Sequence, residues 1–231
     1  VFISIPYYLS LDDIGLMNSY FESISGFTST GFTIFNDLNK LDQTLILWRS
    51  SSQWIGGLYF LFSIIFLIDI YDESLKRSLT NFISLNNSEI IKQTVKVFIL
   101  YFLLTFFIFI ILELIGLRTF NSVNLALTLI SSGGFLPFND VSVILNTDFK
   151  KIVFSILMLI SFFSIFFIYN LILFKNRDKN FFYEDYNLLL YVIILVLVFL
   201  LFFSYNNNFI NIVFSIFSSI SNIGISLNSD F

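Results

Sequence analysis

Apolar and charged positions divide the chain into long charge-free runs and two kinds of shorter segment. Ser50–Ile68, Val97–Leu112, Ile152–Phe174 and Leu188–Phe203 hold no Asp, Glu, Lys or Arg. About 20 apolar residues in a helix, rising about 1.5 Å each, cross a bilayer. These four runs are therefore predicted to be spanning helices, and Val1–Leu11 the tail of a fifth. Residues 69–92 and 175–185 are polar and read as water-facing loops. The positive-inside rule assigns them, with Lys76, Arg77, Lys92, Lys175, Arg177 and Lys179, to the cytoplasm. Met17–Phe35, Phe120–Phe138 and Asn206–Ser226 are a different kind. They are too apolar for surface loops, yet too short and too rich in Ser, Thr, Asn and Gly for spans. Such segments read as re-entrant elements, which a membrane tolerates only inside protein or along a water-filled cavity.

The three unusual segments repeat. FESISGFTSTGFT (21–33), VNLALTLISSGGF (123–135) and FSIFSSISNIGIS (214–226) align without gaps on Gly31, Gly133 and Gly224. Ser29, Ser131 and Asn222 stand two residues before those glycines. Two spans and one charged loop separate successive copies, so the copies are parallel. The predicted unit is a span, a half-helix, a Gly-bearing extended strand and a second span. Asn18, Asn121 and Asn208 are expected to cap the half-helices at their N-termini. A half-helix entering from outside points its C-terminal end, with about half a negative charge, toward mid-membrane, where it favours a cation. A following Gly takes positive φ at little cost and lets consecutive carbonyls face one axis, the way potassium filters replace ion hydration. The hydroxyls of Thr28, Ser29, Thr30, Ser131, Ser132 and Ser221 are expected to support the strand or to line the vestibule. Small residues also let helices pack closely. A non-conducting scaffold is thus the competing reading, and it predicts unbroken helices through these segments.

Composition narrows the chemistry. The chain has 231 residues, net charge −4, 57% apolar, 20% aromatic and 12% charged residues. Soluble domains carry about 25% charged residues, so lipid is the expected solvent. There is no Cys and no His, and no carboxylate pair is evident, which leaves an intramembrane enzyme without a base, thiolate or metal site. No cofactor is expected. No basic block points to nucleic acid.

FESISGFTSTGFT, followed by LILWRSSSQWIGG (Leu45–Gly57), resembles the TrkH/KtrB/HKT superfamily of potassium transporters, and its TrkH branch most closely. SSGGFLPFND (Ser131–Asp140) matches the family's second filter, and SNIGISLNSDF (Ser221–Phe231) is a looser counterpart of the third. The resemblance implies an all-α membrane protein of repeated helix–pore loop–helix units, potassium-channel-like, with four repeats around one pore. On this chain repeat 1 would be 1–70 (pore loop 18–35, second helix 50–70). Repeat 2 would be 91–175 (helices 95–117 and 152–174, pore loop 120–138), and repeat 3 would be 186–231 (helix 187–205, pore loop 207–227). A second helix for repeat 3 and all of a fourth repeat are missing, so the chain reads as a piece of a longer transporter.

The resemblance further implies potassium as substrate, held by backbone carbonyls at Gly31, Gly133 and Gly224. The filter residues would be Thr30, Gly31, Phe32, Ser132, Gly133, Gly134, Ile223, Gly224 and Ile225, supported by Glu22, Thr28, Ser29, Ser131, Asn222 and Arg49. Gly rather than Ser in the first filter implies potassium preference, with sodium conduction or coupling as the alternative. A multi-pass protein of the cytoplasmic membrane, a homodimer, and a cytoplasmic nucleotide-binding ring of the TrkA/KtrA type are implied as well. Asn222 and Ile223 depart from the Thr pair of the family's third filter.

Glu22 is expected to brace the filter or to complement the helix dipole. Arg49 is expected to snorkel to the headgroups or to anchor on Glu22 or Asp37. Gly56 and Gly57 read as packing sites, Trp48 and Trp54 as interfacial aromatics. Glu113 reads as an acid near the span end, and Asp140 as a turn residue or an outer-mouth acid.

Overall fold

A computed structural model describes residues 1–11, 14–71, 90–162 and 209–227, with helical backbone also at residues 187, 190–191 and 193–199. The described residues are helical, with no strand. In order they form α1 (Ile5–Ser10), α2 (Leu16–Phe27), α3 (Gln43–Tyr71), α4 (Ile90–Leu114), α5 (Thr119–Ile130), α6 (Val141–Ile144), α7 (Asp148–Phe162) and α8 (Phe209–Ile220). Within α4, Thr94–Leu114 is long and apolar enough to cross a membrane, with mean hydropathy 2.8. It is the one such stretch among the described residues. The charge-free run 50–68 lies within α3. Runs 152–174 and 188–203 extend past the described residues; of the predicted loop 69–92, residues 69–71 and 90–92 belong instead to α3 and α4, and its remainder and the loop 175–185 lie outside the described residues.

The fold is built on three short helices of one length. α2, α5 and α8 each have 12 residues and each break off in the same way. In α2 the Ser29 N–H bonds the Gly26 carbonyl at 3.0 Å and the Thr30 N–H bonds the Ser25 carbonyl at 2.9 Å. The same pair recurs at Ser132→Leu129 (3.1 Å) with Gly133→Thr128 (3.0 Å), and at Asn222→Ser219 (3.2 Å) with Ile223→Ser218 (3.2 Å). This is a Schellman ending, which satisfies orphan carbonyls by placing one residue in the left-handed region. Ser29, Ser132 and Asn222 occupy it, with φ of 53°, 52° and 59°. Non-glycine residues rarely do so.

That ending corrects the repeat register by one residue. In the three copies the glycines with positive φ are Gly31, Gly134 and Gly224 (82°, 74° and 72°), each four residues past its helix end. Gly134, not Gly133, is the counterpart of Gly31 and Gly224, and Ser132 rather than Ser131 is the counterpart of Ser29 and Asn222. The gapless alignment matched a glycine by identity, whereas the backbone counts from the end of the helix.

The Asn caps also need correcting. α2 and α5 begin after Gly15 and Arg118 without a side-chain cap, which puts Asn18 and Asn121 inside the first turn; Asn208 lies outside the described residues. Trp48 and Trp54 tie elements together. Trp48 Nε1 donates to the Ile3 carbonyl at 3.1 Å, and Trp54 Nε1 donates to Thr105 Oγ1 at 2.9 Å.

Close packing around α3 fixes the frame. A methyl group on Gly56 would overlap the Phe27 carbonyl, and one on Gly57 would stand 2.8 Å from the Tyr101 hydroxyl, so both glycines do allow close approach. α2 turns a polar face inward: Ser19, Glu22, Ser23, Ser25 and Gly26 are buried, while Leu16, Met17, Tyr20, Phe21 and Ile24 are exposed. The apolar core runs through α4, α5 and α7 and reaches Phe214, Ile223 and Ile225 of the third copy.

Candidate ion-selectivity site

The three segments that follow α2, α5 and α8 meet side by side. A methyl group on Gly31 would stand 2.6 Å from the Gly133 carbonyl oxygen and 3.5 Å from Gly134 Cα. One on Gly134 would stand 2.5 Å from the Ile223 carbonyl oxygen and 3.8 Å from Gly31 Cα. The positive-φ glycine of one segment thus seats against the carbonyl that precedes the glycine of the next. Gly224, the third in the series, has no atom of the described residues within 4 Å of such a methyl position. Three helix C-termini end at this cluster, so the partial negative charge of each is directed at it. Among the described residues no group of three or more His, Cys, Asp or Glu could hold a metal ion. The helices break at Phe27, Ile130 and Ile220, so the continuous helices required by a packing scaffold are not present.

The first and third segments are held by their own half-helices. Ser25 Oγ donates to the Phe32 carbonyl at 2.5 Å, and Ser218 Oγ donates to the Ile225 carbonyl at 2.6 Å. The corrected register makes these the same bond. Thr128 holds the corresponding place in the second copy, but it donates instead to Gln53 Oε1 at 3.1 Å. Gln53 Oε1 also accepts from the Phe135 N–H at 3.3 Å, and its Nε2 donates to the Gly133 carbonyl. Gln53 is fully buried. A methyl group on Gly133 would overlap its amide, which explains a glycine where φ is not positive.

A buried ion pair secures the end of the first segment. Glu22 Oε1 accepts from Arg49 Nε at 2.9 Å and from Thr33 Oγ1 at 2.9 Å, and Glu22 Oε2 accepts from the Ile34 N–H at 3.0 Å. Arg49 Nη2 donates to Thr33 Oγ1 at 3.0 Å and Nη1 to the Leu136 carbonyl at 3.5 Å, and the guanidinium stacks 4.2 Å from the Phe135 ring centre. Arg49 is 1% exposed, so the snorkelling expectation does not hold; of the two carboxylates considered, it pairs with Glu22. One guanidinium thus joins the outlets of the first and second segments.

The other singled-out residues have smaller parts. Thr28 Oγ1 bonds back to the Ile24 carbonyl and lies 2.7 Å from Thr30 Oγ1. Ser131 Oγ bonds the Leu127 and Thr128 carbonyls, which keeps it on its helix end. Ser29 Oγ is buried without a partner among the described residues. Asp140 accepts from the Ser142 N–H at 2.8 Å and caps α6, as a turn residue does. Glu113 Oε1 is buried with no hydrogen bond among the described residues.

Sequence reasoning passed over Gln53, Thr33, Ser25, Thr128 and Ser218. A signal existed for each kind. In the corrected register, positions 25, 128 and 218 all carry hydroxyls, whereas the one-residue slip set Leu127 against Ser25 and hid the match. Gln53 is a strong polar group within a charge-free run, which in a membrane helix marks a buried contact.

No family model matches the chain. The uncharacterized cation transporter of Methanocaldococcus jannaschii is 30% identical over 167 residues, 68% of this chain and 33% of that protein. The Trk system potassium uptake protein TrkI of Halomonas elongata is 42% identical over 57 residues, 25% of this chain and 12% of that protein. The crystal structure of the potassium transporter TrkH from Vibrio parahaemolyticus matches with a TM-score of 0.71 at 19% identity, covering 93% of this chain and 46% of that one. The chain therefore spans about a third or less of these curated relatives and about half of the solved structure. The shared fold over nearly the whole chain and the two cation-transporter relatives agree with the motifs around Gly31 and Gln53, and the chain is similar to TrkH-type transporters over this part of their length.

Proposed function

We propose that the chain forms the pore-lining part of a cation transporter that takes up potassium across the cytoplasmic membrane. The observation that carries this reading is the convergence of Gly31, Gly134 and Ile223 at the ends of three half-helices of one length. Residues 30–32, 132–134 and 223–225 are the filter, and backbone carbonyls replace the water that a potassium ion sheds. The helix ends add negative potential where the cation loses hydration. Potassium is the substrate. Glu22 and Arg49 hold the filter from behind, and the Schellman residues Ser29, Ser132 and Asn222 turn the chain from helix to filter. TrkI is a potassium uptake protein and TrkH a potassium transporter, which supports this choice of ion.

In the same reading the transporter is a multi-pass membrane protein, works as a homodimer and docks a cytoplasmic nucleotide-binding ring of the TrkA/KtrA type. The test is growth of a potassium-uptake-deficient host at limiting potassium with the intact protein. Rescue by wild type and its loss in Gly31→Ser are the expected results. Failure of wild type to rescue, with the protein present in the membrane, would sink the reading.

A further inference from the structure

The geometry points to Gln53 as the residue that sets the direction of the Gly133 carbonyl, and through it the preference for potassium over sodium. This rests on reading the three segments as an ion filter. Thr30, Gly133 and Ile223 are counterparts, each directly before its positive-φ glycine. Gly133 and Ile223 place their carbonyl oxygens alike, against Gly31 and Gly134. Among the described residues, the Gly133 oxygen takes a hydrogen bond, from Gln53 Nε2, while those of Thr30 and Ile223 take none.

The second segment is also gripped at a different place. Ser25 and Ser218 tie the carbonyls of Phe32 and Ile225, one residue after the glycine. Thr128 gives its hydrogen to Gln53, and Gln53 grips the segment at the Gly133 carbonyl and the Phe135 N–H. The grip comes from α3, in the preceding unit, 80 residues away in sequence.

The chemical consequence concerns ion discrimination more than folding. A carbonyl that accepts from an amide presents less of its lone-pair density to an ion and turns less freely. Selection between potassium and sodium depends on the number, field strength and freedom of the coordinating carbonyls. Gln53 therefore makes three equivalent carbonyls unequal, and it holds the seam between the first and second segments, where the Gly133 oxygen rests on Gly31. Peptide planarity extends the effect to the Gly134 N–H on the other side of the same plane.

The experiment uses the intact protein in proteoliposomes and measures potassium and sodium uptake side by side, with KM for each ion. Gln53→Glu keeps both acceptor contacts in shape but removes the Nε2 donor; Gln53→Met fills the space and removes every bond. Each variant that reaches the membrane as a monodisperse protein is measured. The expected result is a fall of about tenfold in potassium-over-sodium preference, the scale of losing one buried hydrogen bond. A purely structural Gln53 would instead lower uptake of both ions together. An unchanged ratio in either variant overturns the assignment. Wild-type protein that takes up no potassium overturns the filter reading, and the assignment with it.

Discussion

Arg49 Nε donates to Glu22 Oε1 at 2.9 Å, and neither side chain is more than 1% exposed. The pair lies behind the outlets of two neighbouring segments and joins them through Thr33, Ile34 and Leu136. Removing one partner of a buried pair leaves the other charge uncompensated, at a cost of about 3–5 kcal/mol. Arg49→Met is therefore expected to destabilise the protein by that amount and to abolish uptake. Arg49→Lys should fail as well, because one ammonium cannot reproduce three separate guanidinium contacts. The Glu22→Gln/Arg49→Met double variant should recover part of the loss, and thermal unfolding in detergent reads all of these. Additive single-variant effects would show that the two groups do not act as a pair.

Glycines that look alike in sequence should respond differently. Gly134→Ala meets both a positive φ of 74° and the Ile223 carbonyl, so it should eliminate uptake. Gly116 has a φ of 79° but open space where a methyl group would go. Gly116→Ala should cost only backbone strain, about 1–2 kcal/mol, and leave transport in place. Uptake assays at matched expression separate the two. Equal loss in both would mean that φ alone, not the contact with the neighbouring segment, sets the requirement.

The same glycines show how far the sequence reached. The three short helices and the break after each are visible in the chain: apolar positions end in Ser, Thr, Asn and Gly at 28–31, 131–134 and 221–224. Which of Gly133 and Gly134 takes the positive φ is not visible there, since both are glycine. Gly134 takes the positive φ, two residues past the Schellman residue Ser132, and seats on the Ile223 carbonyl, whereas Gly133 is required by the Gln53 amide packed on it from α3. Arg49 follows the same logic. Its place near a span end is equally compatible with headgroups and with an internal carboxylate, and only the approach of α2 to α3 decides between them.

The two serine bonds behind the first and third segments make a matched pair. Ser25→Ala leaves the Phe32 carbonyl without its donor, and Ser218→Ala does the same for Ile225. Each should cost about 1 kcal/mol of stability, the usual net value of such a bond. Both should weaken ion discrimination in the same direction, because the bonds occupy equivalent places. Thr128→Val should differ, since its hydroxyl acts on Gln53 Oε1 and not on a carbonyl of its own segment. Ion competition measured on the three variants checks this, and a Thr128→Val profile matching the two serine variants would contradict it.

Beyond the three segments, the loops after the first and second are clasped. Asn139 Nδ2 donates to Asp37 Oδ1 at 2.7 Å, while Asn139 Oδ1 accepts from the Leu38 N–H at 2.7 Å. Asp37 also accepts from the Asn39 N–H at 3.1 Å. The bond from Asn139, followed by that from the Asn39 backbone, holds the Asp37 carboxyl below its ordinary value of 3.8. A lowered native pKa means that the unfolded chain binds the proton more readily. The stabilisation is then fully present above the ordinary aspartate pKa and is lost as pH falls through the native value. Asn139→Ala should raise the Asp37 pKa toward 3.8 and remove this part of the acid sensitivity. The unfolding midpoint of wild type should exceed that of Asn139→Ala near neutral pH. The gap should narrow as pH drops below about 4, the range in which aspartate titrates. Curves that stay parallel down to that range would mean that the clasp does not favour the charged carboxylate.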